Sequence, residues 1–325
     1  MITGGTGSFG TSCIDYLLKN YKLKKIIVYS RDENKQNILQ KKYPNSNLRF
    51  IIGDVRDKDR LSMSMKDVNF VIHAAALKHV PIAEYNPIEC IQTNIIGAQN
   101  IIHAAIERKV EKVIALSTDK ATNPINLYGA SKLAAEKLFI AAHSLTGRQK
   151  TFFGIVRYGN VLSSRGSVIP HFKEQIEKNN TVTITDSKMT RFFISLPDSV
   201  EFVLNSFKHL HQGEVFIPKL HSLKITELAK SLNSGVKLKF IGKRPGEKLD
   251  ELLISKEEND NTYETKRFFV ILSSTNLLGR KQFLDKMKKK KFNFKKVDNN
   301  FYYSSYNNKD FIDSAAKIKK VFKYL

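Results

Sequence analysis

Tryptophan is absent from the chain, cysteine occurs twice and proline eight times in 325 residues. No apolar run reaches the roughly 18 residues that a membrane-spanning helix needs, and Met1 does not open a signal-peptide pattern. The expectation is a cytoplasmic protein with no membrane partner. Cys13 and Cys90 both fall inside apolar helical patterns, so buried free thiols are expected rather than a disulfide framework. No metal site is expected either. Acidic residues are also scarce, 31 against 54 Lys and Arg, giving a formal net charge of +23. Such an excess raises nucleic acid as a partner. The lysines are scattered, however, and their densest cluster, Lys286 to Lys296, sits in a polar C-terminal tail. No helix-turn-helix, zinc-finger or stacking-aromatic pattern accompanies them. A solvated, Lys-rich surface accounts for most of the charge, with a mildly basic cleft for a phosphorylated substrate. Nucleic acid is not expected as a partner.

At 42% hydrophobic residues the chain can bury a large core, in one large domain or two fused ones. Thr3 to Gly10 reads Thr-Gly-Gly-Thr-Gly-Ser-Phe-Gly, which gives Gly4-x-x-Gly7-x-x-Gly10 ahead of an apolar helix and the strand Lys25 to Tyr29. Glycines at these spacings permit a tight turn and close approach of the backbone to a pyrophosphate at a helix N-terminus. Only Met1 and Ile2 precede the loop, where a strand of about five residues is the norm. Either the true start lies upstream or the sequence is a fragment. After the second strand come Ser30, Arg31 and Lys35, with Asp32 slightly late for an acid that would hold the ribose of NAD. Arginine here accommodates the extra phosphate of NADP, which is therefore the expected cofactor. A solvated basic turn is the plainer alternative.

Arg49 to Val55 reads as a third strand with Asp54 and Val55 placed to meet the adenine, and Phe70 to Ala76 as a fourth. Ala74 lies where the backbone can approach the nucleotide, and His73 reads as a core histidine. Lys78 lies at the C-terminal edge of that strand, where open α/β sheets bind ligands. A helix from about Asn86 to Lys109 is expected to cover the sheet, with Asn94 placed to orient water or a tyrosine. Alternation of strand and helix through Phe152 to Arg157 predicts a parallel, doubly wound sheet. Beyond Asn160 the pieces shorten, as suits a smaller substrate-holding domain. The expected division is 1–160, 161–255 with segments returning to the first unit, and a variable extension at 256–325.

The most informative stretch runs from Val113 to Lys132, VIALSTDKATNPINLYGASK. A buried strand breaks at Ser117 and Thr118, and Asp119, Lys120 and Tyr128 follow. Tyr128 and Lys132 lie four apart, so on a helix they share one face. A lysine ammonium there favours the phenolate, lowering the tyrosine pKa from about 10 and making Tyr128 a candidate acid/base at a hydroxyl whose carbon loses a hydride. Taken alone, Tyr-x-x-x-Lys describes equally well a half-buried tyrosine beside a surface lysine.

Together, TGGTGSFG, GDVRD, HAAALKHVPIAEYNP, ALSTDKATNPINLYGASK, VRYGNV with SRGSV, DSKMTRF and IGKRPGEKL resemble the extended short-chain dehydrogenase/reductase family. Within it, they are similar to the inverting UDP-N-acetylglucosamine 4,6-dehydratases that begin pseudaminic acid synthesis. The resemblance covers roughly Met1 to Ser255. It implies a Rossmann-type α/β fold with a smaller C-terminal substrate-binding domain, a carbon–oxygen lyase, and a homo-oligomer. It assigns Gly4, Gly7, Ser8, Phe9, Gly10, Ser30, Arg31, Lys35, Asp54, Val55, Ala74 and Lys132 to NADP. Lys78, Asn160, Arg191, Arg244 and Glu247 are implied to contact the UDP-sugar, arginine because its fork binds two oxygens of a diphosphate. Thr118, Asp119, Lys120 and Tyr128 are implied to be catalytic.

In the implied reaction Tyr128 deprotonates the C4 hydroxyl as hydride leaves C4. Lys120 then removes the acidified C5 proton, Asp119 protonates the leaving C6 hydroxyl, and hydride returns to C6. Lys120 must act as a neutral amine, so its pKa is expected to be lowered by burial near Lys132 and the oxidised nicotinamide, and that of Asp119 to be raised. The related retaining dTDP-glucose dehydratases have Thr-Asp-Glu where this chain has Thr118-Asp119-Lys120. A further branch with the Asp-Lys pair has methionine at the position of Tyr128. Asp250 departs from the family, which has histidine there. Alternatives that keep the fold are a UDP-sugar 4-epimerase, which does not need the Asp-Lys pair, and a non-catalytic NADP-sensing regulator.

Overall fold

The glycine-rich turn joins a strand of two residues, β1 (Ile2–Thr3), to α1 (Ser8–Asn20), and strand and helix then alternate in the computed structural model. The structure describes residues 1–44, 47–147, 151–289 and 292–322, so Lys290 and Lys291 of the basic cluster lie outside the described residues. Next come β2 (Ile26–Ser30), α2 (Glu33–Lys42), β3 (Leu48–Ile52), α3 (Lys58–Ser64) and β4 (Phe70–His73). They are followed by α4 (Val80–Tyr85), α5 (Pro87–Ile91), a π-helical turn at Gln92–Ile96 and α6 (Gly97–Glu107). β5 (Lys112–Thr118), α7 (Leu127–Ala141) and β6 (Phe152–Tyr158) complete the N-terminal alternation.

Ile26, Ile27, Val28, Tyr29 and Ser30 are all buried, as a strand covered by helices on both faces requires. β1 sits between β2 and β4, with Ile2 opposite Val28 and Ile72. Parallel pairing runs in the order β3, β2, β1, β4, β5, β6 and on to the strand Glu214–Pro218. The sheet then turns antiparallel through Phe268–Ile271, Thr262–Thr265 and Phe294–Lys296. The tail, which carried no usable motif, thus contributes the outer edge of the central sheet. The α/β, doubly wound, largely parallel architecture is the one expected from the strand–helix rhythm.

A second apolar cluster around Phe172, Val182, Phe193 and Leu223 forms the smaller unit. It is built on the strands Asn160–Val161, Thr190–Ile194, His221–Lys224 and Phe311–Ile312, with the helix Val168–Asn179 packed nearby. The helix expected over about 86–109 runs without interruption from Pro87 to Glu107, with a π-helical turn at Gln92–Ile96 in its middle. Pro87 starts α5, and the π turn before α6 swings Asn94 inward, a local deformation often found beside functional sites.

Arg157 ties β6 and α7 to the 253–258 segment. Its guanidinium is buried on β6, donating to Glu136 of α7 at 2.6 Å, to Glu258 at 2.9 Å and to the Leu253 carbonyl at 2.9 Å. Glu258 in turn closes a capping box on the turn that begins at Lys256.

Candidate active site

The C-terminal ends of β1, β2, β4, β5 and β6 open onto one cleft of about 790 Å³, within the size range of small-molecule sites. Its floor is the glycine-rich turn. Gly4 adopts φ +65°, and a Cβ there would lie 2.9 Å from the Ala75 backbone, so the turn and β4 can touch only through glycine. Gly7 caps α1, whose first-turn N–H groups face the cleft with no acidic residue in that turn. All twelve residues implied to hold the dinucleotide, Gly4, Gly7, Ser8, Phe9, Gly10, Ser30, Arg31, Lys35, Asp54, Val55, Ala74 and Lys132, line this cleft. Buried Ser117 Oγ has no partner and also lines it. A glycine cradle, a helix N-terminus and an unpartnered hydroxyl make a donor set that fits a dinucleotide.

At the β2 end, Asp32 caps α2, accepting from the Lys35 backbone at 2.9 Å and pairing with the Lys35 amine. Arg31 is exposed and lies 3.6 Å from Asp54. Partial burial pushes the Asp54 carboxyl up, but hydrogen bonds and charge from Arg56, with Arg31 behind them, hold it below the usual carboxylate range. Gln36 donates to the carbonyls of Ser30 and Ile51, both at 2.9 Å, and so fastens the ends of β2 and β3.

β5 ends in the chemical part of the cleft. Thr118 closes the strand and caps a short 3₁₀ turn, Asp119–Ala121. Its hydroxyl donates to Asp119 Oδ1 at 3.0 Å and accepts from the Lys120 N–H at 3.3 Å. Lys120 Nζ donates to Asp119 Oδ1 at 2.9 Å and to Asn160 Oδ1 at 3.4 Å. Asp119 is fully buried, and its Oδ2 has no partner. Asn126 caps α7 by accepting from Gly129 at 2.8 Å. A Cβ on Gly129 would stand 2.2 Å from the Lys120 carbonyl, so α7 seats against the 119–121 turn only because that residue is glycine. Tyr128, on the first turn of α7, thereby meets the Thr118 hydroxyl. Thr118, Lys120, Tyr128, Lys78 and Asn160 all line the cleft.

Two electrostatic expectations are corrected. Lys120 was expected to be held as a free amine. Burial does push it down, but the charges of Asp119 and Glu251 outweigh burial and hold its ammonium well above the usual lysine value. Tyr128 was expected to be lowered by Lys132. Instead burial pushes it up to about 12, against the charge of Lys120 and the Thr118 hydrogen bond. Lys132 points elsewhere, donating to the Leu116 carbonyl at 2.6 Å. Burial pushes Lys132 down to about 8, with Glu136 opposing.

The residues implied to hold the sugar nucleotide fall into two groups. Asn160 touches Lys120, and Lys78 donates to the Arg165 carbonyl at 2.8 Å. Burial, with Arg165 behind it, pulls the Lys78 amine below the ordinary value. Arg191 is buried and donates to the carbonyls of Thr190, Leu249 and Lys248 at 2.7 to 2.9 Å. It therefore holds the 248–250 turn. Arg244 is exposed in the same segment, its N–H bonded to Glu247 at 3.1 Å. That segment packs on the 122–126 loop through Lys248, which donates to the Thr122 carbonyl at 2.7 Å, and through Gly246, whose carbonyl accepts from Asn126 at 2.9 Å. Asp250, the departure from the family, accepts from the Thr190 hydroxyl at 2.7 Å.

Three residues went unassigned in the sequence or were given another task. Glu251 lies 3.3 Å from Lys120 Nζ. The available signal was an acid directly before the apolar Leu252-Leu253-Ile254. Asn94 grips the backbone N–H and carbonyl of Leu77, each at 2.9 Å, and donates to Ser131 at 2.9 Å, so it braces the β4 loop against α7. Arg165 reaches over the glycine-rich turn, its N–H bonded to Ser8 at 3.1 Å and its guanidinium to the Thr6 carbonyl.

Comparison with known proteins places this geometry among relatives. A family described as "Polysaccharide biosynthesis protein" matches residues 1–273. A Campylobacter jejuni protein named UDP-N-acetylglucosamine 4,6-dehydratase (inverting) is 54% identical over 314 residues, 95% of this chain and 92% of its own length. A Rickettsia bellii protein named UDP-glucose 4-epimerase is 47% identical over 297 residues, 89% and 87% of the two chains. Among solved structures, that of Pen from Bacillus thuringiensis superposes with a TM-score of 0.89 at 36% identity, covering 99% of this chain and 96% of that one.

Proposed function

This chain belongs to the polysaccharide biosynthesis protein family, and on that premise we propose that it is an inverting UDP-N-acetylglucosamine 4,6-dehydratase using bound NADP. Its product is a UDP-2-acetamido-2,6-dideoxy-4-keto-hexose inverted at C5, made as the first step of pseudaminic acid synthesis. The observation that carries the reading is the turn at the end of β5, where Lys120 lies 2.9 Å from Asp119 in the same cleft as Tyr128. Such an acid–base pair serves elimination and has no task in epimerisation.

NADP supplies the hydride acceptor at C4 and the hydride that returns to C6, so no net oxidation occurs. Arg31 and Lys35 at the end of β2 favour NADP over NAD, since Asp32 is engaged with Lys35 rather than free for a ribose. Tyr128 takes the C4 hydroxyl proton. Its high pKa in the free protein falls when a cationic nicotinamide lies beside it. Lys120 and Asp119 need only one proton transfer to reach working states. Moving a proton from Lys120 Nζ to Asp119 Oδ1 leaves a neutral amine and a neutral acid, a change favoured when the sugar displaces water and the charged pair loses its solvation. The amine then removes the C5 proton, and the acid protonates the C6 hydroxyl as it leaves as water. Lys78 and Asn160 orient the sugar nucleotide, and Arg244 and Glu247 meet it at the cleft mouth as the family implies.

A second reading, UDP-sugar 4-epimerase, is favoured by the name of the Rickettsia bellii relative. Incubation with NADP and UDP-N-acetylglucosamine, followed by NMR of the product, separates the two. A 6-deoxy-4-keto sugar supports the dehydratase, and a 4-hydroxyl epimer supports the alternative. A homo-oligomer is part of the proposal, and light scattering on the purified protein tests it. Among the described residues no helix is long and apolar enough to cross a membrane.

A further inference from the structure

Glu251 is nearly sealed from solvent, its side chain 3% exposed, and it stands between two cations. Oε1 lies 3.3 Å from Lys120 Nζ and 3.7 Å from Arg191 Nε, while Oε2 is buried with no partner. Its backbone is fixed independently of those charges. The Glu251 N–H donates to Ser305 Oγ at 2.9 Å, and its carbonyl accepts from the Ser305 N–H at 2.9 Å. Ser305 Oγ is itself 2.7 Å from the Thr190 hydroxyl. Leu252 and Ile254 continue the contact by pairing with Ser304 and Tyr303. The tail thus holds this carboxylate against the catalytic turn.

We propose that Glu251 is a positioning residue for the elimination step. It fixes Lys120 Nζ and stabilises the ammonium that forms there while Asp119 carries its proton. The inference rests on the reading of Lys120 as the C5 base. The charges facing Lys120 are Asp119 on its own turn, Glu251 on the 248–254 segment, Arg191 on the strand Thr190–Ile194, and Lys248, with the Tyr128 phenol opposite on α7. Once a proton has passed from Nζ to Asp119, Glu251 is the one carboxylate left beside Nζ among the described residues. In the next step the C5–H bond breaks and an N–H bond forms. The electron pair moves through the C4 ketone as an enolate, then expels the C6 oxygen, which leaves as water with the Asp119 proton. Positive charge therefore appears on Nζ when its other carboxylate is neutral. An opposite charge within about 4 Å favours that ammonium, and one already held by the main chain needs no rearrangement to do so.

The test compares Glu251→Gln, Glu251→Asp, Lys120→Ala and the Lys120→Ala/Glu251→Gln double variant, each with NADP and UDP-N-acetylglucosamine. Glu251→Gln is expected to keep KM within about threefold and to lose on the order of 10- to 100-fold in kcat. In a single turnover it should accumulate the absorbance of the reduced nicotinamide, because oxidation at C4 outruns elimination. Glu251→Asp, which keeps the charge, should recover part of the loss. The double variant should be no slower than Lys120→Ala, since both changes act on one group. Wild-type kcat in Glu251→Gln overturns the inference. So does a loss with no accumulated absorbance that tracks lowered thermal stability and NADP affinity. Product formation by Lys120→Ala at the wild-type rate would instead overturn the underlying reading of Lys120.

Discussion

Lys120 Nζ and Asp119 Oδ1 lie 2.9 Å apart on consecutive residues, and the second oxygen of Asp119 is buried without a partner. Neighbouring side chains meet this closely because the strand ends at Thr118 and the 3₁₀ turn folds them back toward one another. Lys120→Ala and Asp119→Asn should each lose on the order of 100-fold or more in product formation, the usual contribution of a positioned acid or base. Both should bind NADP as the wild type does, because neither side chain belongs to the glycine-rich turn. Calorimetry of NADP binding beside NMR of the product checks the pair of outcomes.

Lys132 gives the free protein a particular pH response. Burial lowers it to about 8 from the ordinary lysine value of 10.5. Between those values the unfolded chain holds a proton that the native one has released, so stability rises with pH across that window. The cost of the buried charge is fully present below pH 8, at about 3 kcal/mol. Lys132→Met should be more stable than the wild type at pH 7 and lose that advantage progressively from pH 8 to 10.5. Urea unfolding of both proteins across this range tests it.

Much of this was readable in the residues themselves. A short, β-branched apolar run such as Ile26 to Tyr29 between a glycine-rich turn's helix and a polar turn reads as a strand covered on both faces, and the glycine spacing at 4, 7 and 10 marks the turn before α1. Thr118, Lys120, Tyr128 and Asn160 come together because β5, α7 and β6 are adjacent elements. What escaped was long-range. Glu251 reaches Lys120 through a partnership with Ser305, 54 residues further along, and nothing local records it. The charge state of Lys120 was misjudged for the same reason, since its second carboxylate was not visible. The π turn inside the helix before α6 was not foreseen because such turns leave no periodic signature.

Gly129 should tolerate no side chain. Its Cβ would sit 2.2 Å from the Lys120 carbonyl and 3.1 Å from Pro124. Backbone cannot yield as a flexible side chain can. Gly129→Ala should therefore cost about 1 to 3 kcal/mol and lower kcat by displacing Tyr128 from the catalytic turn. Thermal unfolding and steady-state kinetics measure both effects.

The buried ion cluster of Arg157, Glu136 and Glu258 should be intolerant of losing its centre. Arg157→Met leaves Glu136, 2% exposed, without its cation. The expected loss is about 3 to 5 kcal/mol, with the 256–261 turn loosened because Glu258 also closes its cap. Chemical denaturation gives the energy, and hydrogen exchange at Ser255 to Asn261 gives the local effect.

The central claim is that the C5 proton leaves to Lys120 and is replaced from solvent. The reaction of the wild-type protein with UDP-N-acetylglucosamine in heavy water, read by NMR of the keto-sugar, tests it most directly. One deuterium at C5 of the 6-deoxy-4-keto product is the predicted result. Product that carries only protium at C5 would contradict the account.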